Sequence, residues 1–181
     1  MSFLPGYSYL ESAGNHLNHS LWAYSGSPCN AWIEEGLTQG YHGNIWYTWY
    51  WAYHNTSGGY QDFAAGTTSP TGYNHSYQLS YNGGSTYTAY RDGAVVGSVS
   101  GLGAGTCIAA GGLEVSNGVM AYVHSDTFDY SPLEWQNTGG GWNVGWNVSQ
   151  YWADQPCGQY GTGNCTNIAF YGSSHWADNK P

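Results

Sequence analysis

The segment 73–99 contains three short stretches of strand-forming residues separated by two turn sequences, and this pattern constrains the fold most strongly. From Tyr73 to Tyr81, aromatic and apolar residues alternate with Asn, Ser and Gln. The turn residues Asn82-Gly83-Gly84 and Asp92-Gly93 tolerate the positive φ angles of tight hairpins. The pattern predicts an antiparallel meander with strands at 73–81, 85–91 and 94–99.

Strand signals extend through the rest of the chain, whereas helix signals are nearly absent. Glycine is frequent, and good helix formers nowhere recur at 3.6-residue spacing. Short strands with many turns are typical of antiparallel β-sandwiches and jelly rolls. We therefore predict a single all-β, concanavalin-like sandwich domain over residues 1–181. We expect irregular segments at 1–18 and 172–181, and further strands at 21–24, 31–37, 45–53, 108–115, 119–124, 133–136 and 168–171.

The charge of the chain excludes two classes of partner. It has two basic residues, Arg91 and Lys180, against eleven acidic ones, and its formal net charge is -9. Nucleic-acid binding needs a basic surface, and an anionic membrane would repel this chain. No apolar run is long enough to cross a bilayer. We therefore expect neither a nucleic-acid nor a membrane partner.

The four cysteines indicate an oxidising compartment. An even number without a Cys-x-x-Cys spacing favours two disulfides over a metal site. Cys157 and Cys165 flank a glycine-rich loop, so we expect them to pair locally and leave Cys29 with Cys107, although spacing does not fix the connectivity. The sequence shows no secretory leader, and we expect it to represent the mature part of a secreted protein.

The predicted strand 45–53 carries aromatic residues on both faces, namely Trp46, Tyr47, Trp49, Tyr50, Trp51 and Tyr53. One face can fill the core of the sandwich. The other face is either buried under a second layer or forms a wet aromatic cleft, because Tyr and Trp combine an apolar body with a polar edge. Both alternatives remain open at this point.

Two strand segments contain glutamates, and these are the candidate site residues. They are Trp32-Ile33-Glu34-Glu35-Gly36-Leu37 and Gly111-Gly112-Leu113-Glu114-Val115. A carboxylate inside a strand must face solvent, find a partner or have a raised pKa, and basic partners are scarce in this chain. Glu34 and Glu35 point to opposite faces of their strand, so only one of them can line a given cleft.

These segments resemble the neprosin-type glutamic peptidases. The family pattern runs Ile-Glu-Ala-Gly-Trp, a Tyr-Gly-Asp turn, an aromatic strand of the Phe-Thr-Tyr-Trp kind and a late Gly-Gly-Glu-Val. The corresponding stretches here are residues 33–37, 41–44, 46–51 and 111–115, the last with Leu113 inserted before Glu114. The fungal glutamic peptidases, which are two-sheet sandwiches, are similar more distantly.

The resemblance implies a secreted, acid-acting endopeptidase in which Glu34 and Glu114 form the catalytic pair. The two carboxyls would hold one proton between them, activate a water and polarise the scissile carbonyl. Trp46, Trp49 and Tyr50 would hold an extended peptide or protein substrate, and His42 would orient it or a water. No metal and no other cofactor is expected.

Other functions fit the same features. A lectin-like carbohydrate-binding domain would use exposed Trp and Tyr to stack on glycans, and a glycoside hydrolase would also need two carboxylates. An extracellular structural protein is favoured by the Gly, Tyr and Asn content. Protein digestion at acid pH, binding to insoluble polysaccharide and light scattering distinguish these functions.

Overall fold

The computed structural model describes residues 8–10, 16–42, 45–66, 75–116, 120–123, 128–130, 134–136, 141–144, 167–170 and 176–179. Within these ranges the secondary structure is entirely β, with no helix. The strands are β1 (Ser8–Leu10), β2 (His16–Ser25), β3 (Ala31–His42), β4 (Ile45–His54), β5 (Tyr60–Ala64), β6 (Tyr77–Tyr81), β7 (Tyr87–Arg91), β8 (Ala94–Val99), β9 (Thr106–Ser116), β10 (Met120–Val123), β11 (Phe128–Tyr130), β12 (Glu134–Gln136), β13 (Trp142–Val144), β14 (Asn167–Phe170) and β15 (Trp176–Asn179).

The chain divides into two compact units. The larger comprises Leu10–Pro70 and His75–Gly118, and the smaller comprises Met1–Tyr9, Thr71–Asn74 and Val119–Pro181. The described strands of the smaller unit form sheets of order β1-β10, β11-β15-β14 and β12-β13. The larger unit contains a five-stranded sheet and a three-stranded sheet. The predicted all-β fold of antiparallel sheets is confirmed, while the single-domain organisation stays a prediction.

The five-stranded sheet of the larger unit has the order β5-β4-β3-β2-β9 and is antiparallel throughout. Its four longest strands have ten to twelve residues, so paired side chains form continuous rows across the sheet. Because side chains alternate along a strand, Glu34 and Glu35 of β3 lie on opposite faces. We call these two sides of the sheet the Glu34 face and the Glu35 face.

The three-stranded sheet β6-β7-β8 is the predicted meander. Asp92 and Gly93 connect β7 to β8 with φ angles of 52° and 78°. Two consecutive positive φ angles give a hairpin turn whose twist matches that of the strands, and Gly at the second position adopts such an angle without strain. The first strand begins at Tyr77 rather than at residue 73, and residues 73 and 74 lie outside the described part of the chain.

The hydrophobic core of the larger unit lies between its two sheets. Buried residues from both sheets and from the loop between β8 and β9 form one cluster, namely Ala23, Ala31, Ile33, Trp51, Tyr87, Ala89 and Leu102. Trp51 packs so closely over β8 that a Cβ added to Gly97 would lie 2.1 Å from its ring. Within residues 31–38 of β3 and 49–54 of β4, the odd-numbered residues therefore face the core and the even-numbered ones line the Glu34 face.

Several strands differ from the sequence predictions. The segments expected to be irregular contain β1, the first residues of β2, and β15. The short strands β5, β11 and β13 were also not predicted. Strand β5 shows the reason, because its one buried residue is Asp62 rather than an apolar one and the usual alternation is absent. Pairing with neighbouring strands defines such elements more than their own sequences do.

The disulfide prediction is confirmed for one pair. Cys29 and Cys107 form a disulfide with a Cα–Cα distance of 6.2 Å. It joins the segment before β3 to the start of β9. Cys157 and Cys165 lie outside the described residues. A disulfide fits an oxidising compartment. In the described ranges no helix has the length and hydropathy needed to cross a membrane.

Candidate functional site

Glu34 is a buried carboxylate near the middle of the five-stranded sheet. It is paired with Trp22 of β2 on one side and with Ala52 of β4 on the other. Only 2% of its surface is exposed, whereas Trp22 is half-buried. Burying a carboxylate is costly unless hydrogen bonds or charges compensate. The surroundings of Glu34 therefore decide what it can do.

A pair of hydroxyl groups lies next to Glu34 on the same face. The Tyr50 hydroxyl donates a hydrogen bond to Glu34 Oε1. The same hydroxyl is 2.6 Å from Ser20 Oγ, and both Tyr50 and Ser20 are fully buried. Ser20 and Tyr50 belong to strands on either side of β3, and both pair with Gly36. Because Gly36 has no side chain, the Ser20 and Tyr50 hydroxyls can meet above β3. The Tyr50 hydroxyl can then also reach Glu34.

This hydrogen bond favours the ionised form of Glu34. A carboxylate is only an acceptor, and a hydroxyl donated to it stabilises its negative charge. The Tyr50–Ser20 contact also fixes the direction of the phenol, which is buried and has few alternative orientations. Glu34 therefore has a defined orientation and position on the sheet.

Glu35 shows the opposite behaviour on the other face. It is fully buried between the sheets, and neither carboxyl oxygen makes a hydrogen bond of regular geometry. Burial raises its pKa to about 9, and the positive charge of Arg91 lowers it only in part. Burial, and then the charge of Glu35, also raise the pKa of Tyr77. Glu35 is therefore a neutral core residue at acid and neutral pH.

The strand register places Glu114 of β9 at a different level of the sheet from Glu34. It pairs with Asn18 of β2, which pairs with Thr38 of β3. Glu34 and Glu114 are thus separated by two strand spacings and by four residues along the strands. Strand geometry places their Cα atoms roughly 13 Å apart along the strands and roughly 10 Å apart across them. The side chain of Glu114 lies outside the described part of the structure.

The predicted aromatic binding residues do not form one group. Trp49 and Tyr50 are adjacent in β4 and lie on opposite faces of the sheet, and their role as substrate contacts stays a prediction. Trp49 is 3% exposed and packs against His75, Tyr77 and Arg91 on the Glu35 face. Tyr50 contacts Glu34 itself. The predictions for Trp46 and His42 concern side chains outside the described part of the structure.

A different aromatic row crosses the Glu34 face beside the row that contains Glu34. Its members are paired across four strands and are Tyr24, Trp32, His54 and Tyr60. The rings of Trp32 and His54 stack at 4.3 Å with an interplanar angle of 9°. Tyr60 is 39% exposed and the other three are half-buried. Sequence reasoning missed this row because its members are scattered in sequence and only the strand register aligns them.

Comparison with solved structures identifies a similar fold. The crystal structure of aspergilloglutamic peptidase from Aspergillus niger superposes with a TM-score of 0.56 at 15% sequence identity. The match covers 91% of this chain and 99% of that chain. No family model and no curated protein matches the sequence. At this identity the similarity shows a shared fold with a fungal glutamic peptidase, and the link to the neprosin-type family stays a prediction.

Proposed function

We propose that the protein is a glutamic peptidase-like hydrolase that cleaves peptide bonds at acid pH with Glu34 and an activated water. The observation that carries this proposal is the buried Glu34 carboxylate, which accepts a hydrogen bond from the Tyr50 hydroxyl, itself in contact with the Ser20 hydroxyl. The shared fold with a glutamic peptidase supports the same reaction class. The disulfide fits an extracellular location.

The chemistry needs two carboxyl groups in different protonation states. The ionised Glu34 takes a proton from a water molecule, and the water oxygen attacks the carbonyl carbon of the scissile bond. A second, protonated carboxyl hydrogen-bonds the carbonyl oxygen and then donates its proton to the leaving nitrogen. Acid pH favours this division because the second group must keep its proton. The sequence resemblance assigns the second position to Glu114.

The aromatic row is suited to hold the substrate. Tyr24, Trp32, His54 and Tyr60 border the row of Glu34 and expose part of their surfaces. Flat aromatic surfaces of this kind bind extended peptides through ring stacking and through their polar edges. The stacked pair of Trp32 and His54 presents a flat surface within this row. Trp46 and His42 remain proposed substrate contacts at the hairpin end of β3 and β4.

Digestion of an unfolded protein at pH 3 to 5 tests this function. We expect the wild-type chain to release peptides, and we expect Glu34→Gln to lower kcat/KM by about 100-fold or more, the typical contribution of a general base. Glu35→Gln is the matched control, since it makes the same change one residue away on the opposite face. Circular dichroism of each variant verifies that the fold is retained.

Three outcomes would reject the peptidase function. These are a wild type without activity on any peptide, a Glu34→Gln variant with the wild-type rate, and equal losses in Glu34→Gln and Glu35→Gln.

The aromatic row also suits a lectin-like or glycan-cleaving function. Binding to insoluble polysaccharide that is lost in Trp32→Ala, in a chain that cleaves no peptide, would favour that alternative.

A further inference from the structure

Strand β5 has an unusual burial pattern for the edge of a sheet. Tyr60, Gln61, Phe63 and Ala64 are exposed, and the single buried residue of the strand is Asp62, at 6% exposure. A buried position in a strand is normally occupied by an apolar side chain. Burying an acid costs free energy unless hydrogen bonds or charges compensate, so an acid kept at this position is a candidate for a functional role.

The strand register places Asp62 in the row of Glu34. Glu34 of β3 pairs with Ala52 of β4, and Ala52 pairs with Asp62 of β5. Both acids therefore lie on the Glu34 face, with Ala52 between them in the row. Two strand spacings separate their Cα atoms by roughly 10 Å, without the additional offset along the strands that separates Glu34 from Glu114.

The charges of the region also distinguish the two acids. Arg91, the basic residue within the described ranges, lies on the other side of the sheet, where it stacks on Trp49 and donates a hydrogen bond to the carbonyl of Ala65. The Tyr50 hydroxyl is donated to Glu34. Glu34 is thereby favoured as the ionised member of a pair, which leaves the proton-donating part to the other acid.

We infer that Asp62, rather than Glu114, is the second catalytic carboxyl and protonates the leaving amine of the peptide. This inference depends on the proposed peptidase function. As the water oxygen bonds to the carbonyl carbon, its proton moves to Glu34. As the carbon–nitrogen bond breaks, the proton of Asp62 moves to the nitrogen. The products are a carboxylic acid and an amine. One proton then passes from Glu34 to Asp62 through water, which restores the starting state.

Steady-state kinetics of peptide cleavage between pH 2 and pH 7 tests this role. We expect Asp62→Asn to lower kcat/KM by about 100-fold and to remove the decline in rate at higher pH, because that decline reports the loss of the donor's proton. Asp62→Glu retains a carboxyl and should keep part of the activity together with the decline. Asp92→Asn removes an exposed acid from the β7–β8 turn and should behave like the wild type.

The possible results separate this inference from the peptidase function. A wild type that cleaves no peptide overturns both. A wild type inactivated by Glu34→Gln but not by Asp62→Asn overturns only the role of Asp62, most directly if Glu114→Gln is inactive. If Asp62→Asn does not fold, the Asp62→Glu variant tests the donor role instead. A folded Asp62→Glu variant whose rate does not decline at higher pH contradicts that role.

Discussion

On the Glu34 face, a buried carboxylate accepts a hydrogen bond from Tyr50, whereas on the Glu35 face an equally buried carboxyl has no regular hydrogen bond. The two residues are neighbours in β3 and have the same side chain. The two residues differ because of their surroundings. The Tyr50 and Ser20 hydroxyls lie near Glu34, whereas the second sheet packs over Glu35. The hydroxyls stabilise a charge, while the packed interior suppresses one.

This contrast extends to the aromatic residues of β4. Trp49 and Trp51 on the Glu35 face are closely packed between the sheets. On the Glu34 face, Tyr50 supplies a hydroxyl to an acid, and His54 belongs to a partly exposed row. The same strand therefore stabilises the fold with one side and forms the candidate site with the other. Substitutions on the Glu35 face should therefore change mainly stability, and substitutions on the Glu34 face should change mainly the kinetics of peptide cleavage.

The largest expected effect is a pH dependence of stability that comes from Glu35. Its pKa is 4.5 in the unfolded chain and about 9 in the folded one, so the folded state retains a proton that the unfolded state loses between these values. The stabilisation is fully present below pH 4.5 and is lost as the pH rises through 9, by at most about 6 kcal/mol. Glu35→Gln should flatten this dependence in denaturant unfolding measured from pH 4 to 9. An unchanged slope in that variant would contradict the assignment.

The next largest effect separates the tryptophans of the two faces. Trp49→Ala removes a buried ring that contacts Arg91 and His75, and should lower the free energy of unfolding by roughly 3 to 5 kcal/mol. Trp32→Ala removes a half-buried ring, and should cost less stability while raising KM for peptides. Urea unfolding and steady-state kinetics on both variants measure this. The comparison fails if Trp49→Ala raises KM and leaves stability unchanged.

Much of the fold could be predicted from the sequence, because local signals define it. Asp92-Gly93 fixes a hairpin turn through its φ angles, and the alternation around Glu34 and Glu35 assigned them to opposite faces. Strand β5 could not be predicted, since its buried residue is an acid. Its pairing with β4 supplies the order that its own sequence lacks.

The candidate site could be predicted only in part. Glu34 was found because a glutamate in an apolar strand is conspicuous. The hydroxyl groups near Glu34 could not be found in the same way. Ser20 and Tyr50 lie 14 and 16 positions from Glu34 in the sequence, and only the register of three strands brings them close to it. Asp62 was missed for the same reason. The alternation of β4 was itself enough to place Trp49 and Tyr50 on opposite faces, although both were predicted as substrate contacts.

A smaller effect tests how tightly the Glu35 side of the sheet is packed. In Gly97→Ala the new Cβ would lie 2.1 Å from the Trp51 ring, so one of the two must shift, at a cost of about 1 to 3 kcal/mol. Thermal unfolding measures this cost. Trp51→Phe in the Gly97→Ala background should recover part of the loss, because the smaller ring leaves room. Additive losses in the double variant would show that the two residues are not in contact.

An effect of similar size concerns the hydroxyl of Tyr50. Tyr50→Phe retains the ring but removes the donor to Glu34 and the partner of Ser20. Since a hydrogen bond to a charged group contributes about 1.5 to 3 kcal/mol, kcat/KM for peptide cleavage should fall by roughly 10-fold or more. Tyr53→Phe is the matched control, because it removes a hydroxyl from the same strand on the Glu35 face, where the partner is Gln61 Oε1 at 2.6 Å. Equal kinetic losses in the two variants would mean that the Tyr50 hydroxyl has no special relation to Glu34. A loss confined to Tyr50→Phe would instead show that the orientation and charge of Glu34 depend on a residue that never has to touch the substrate.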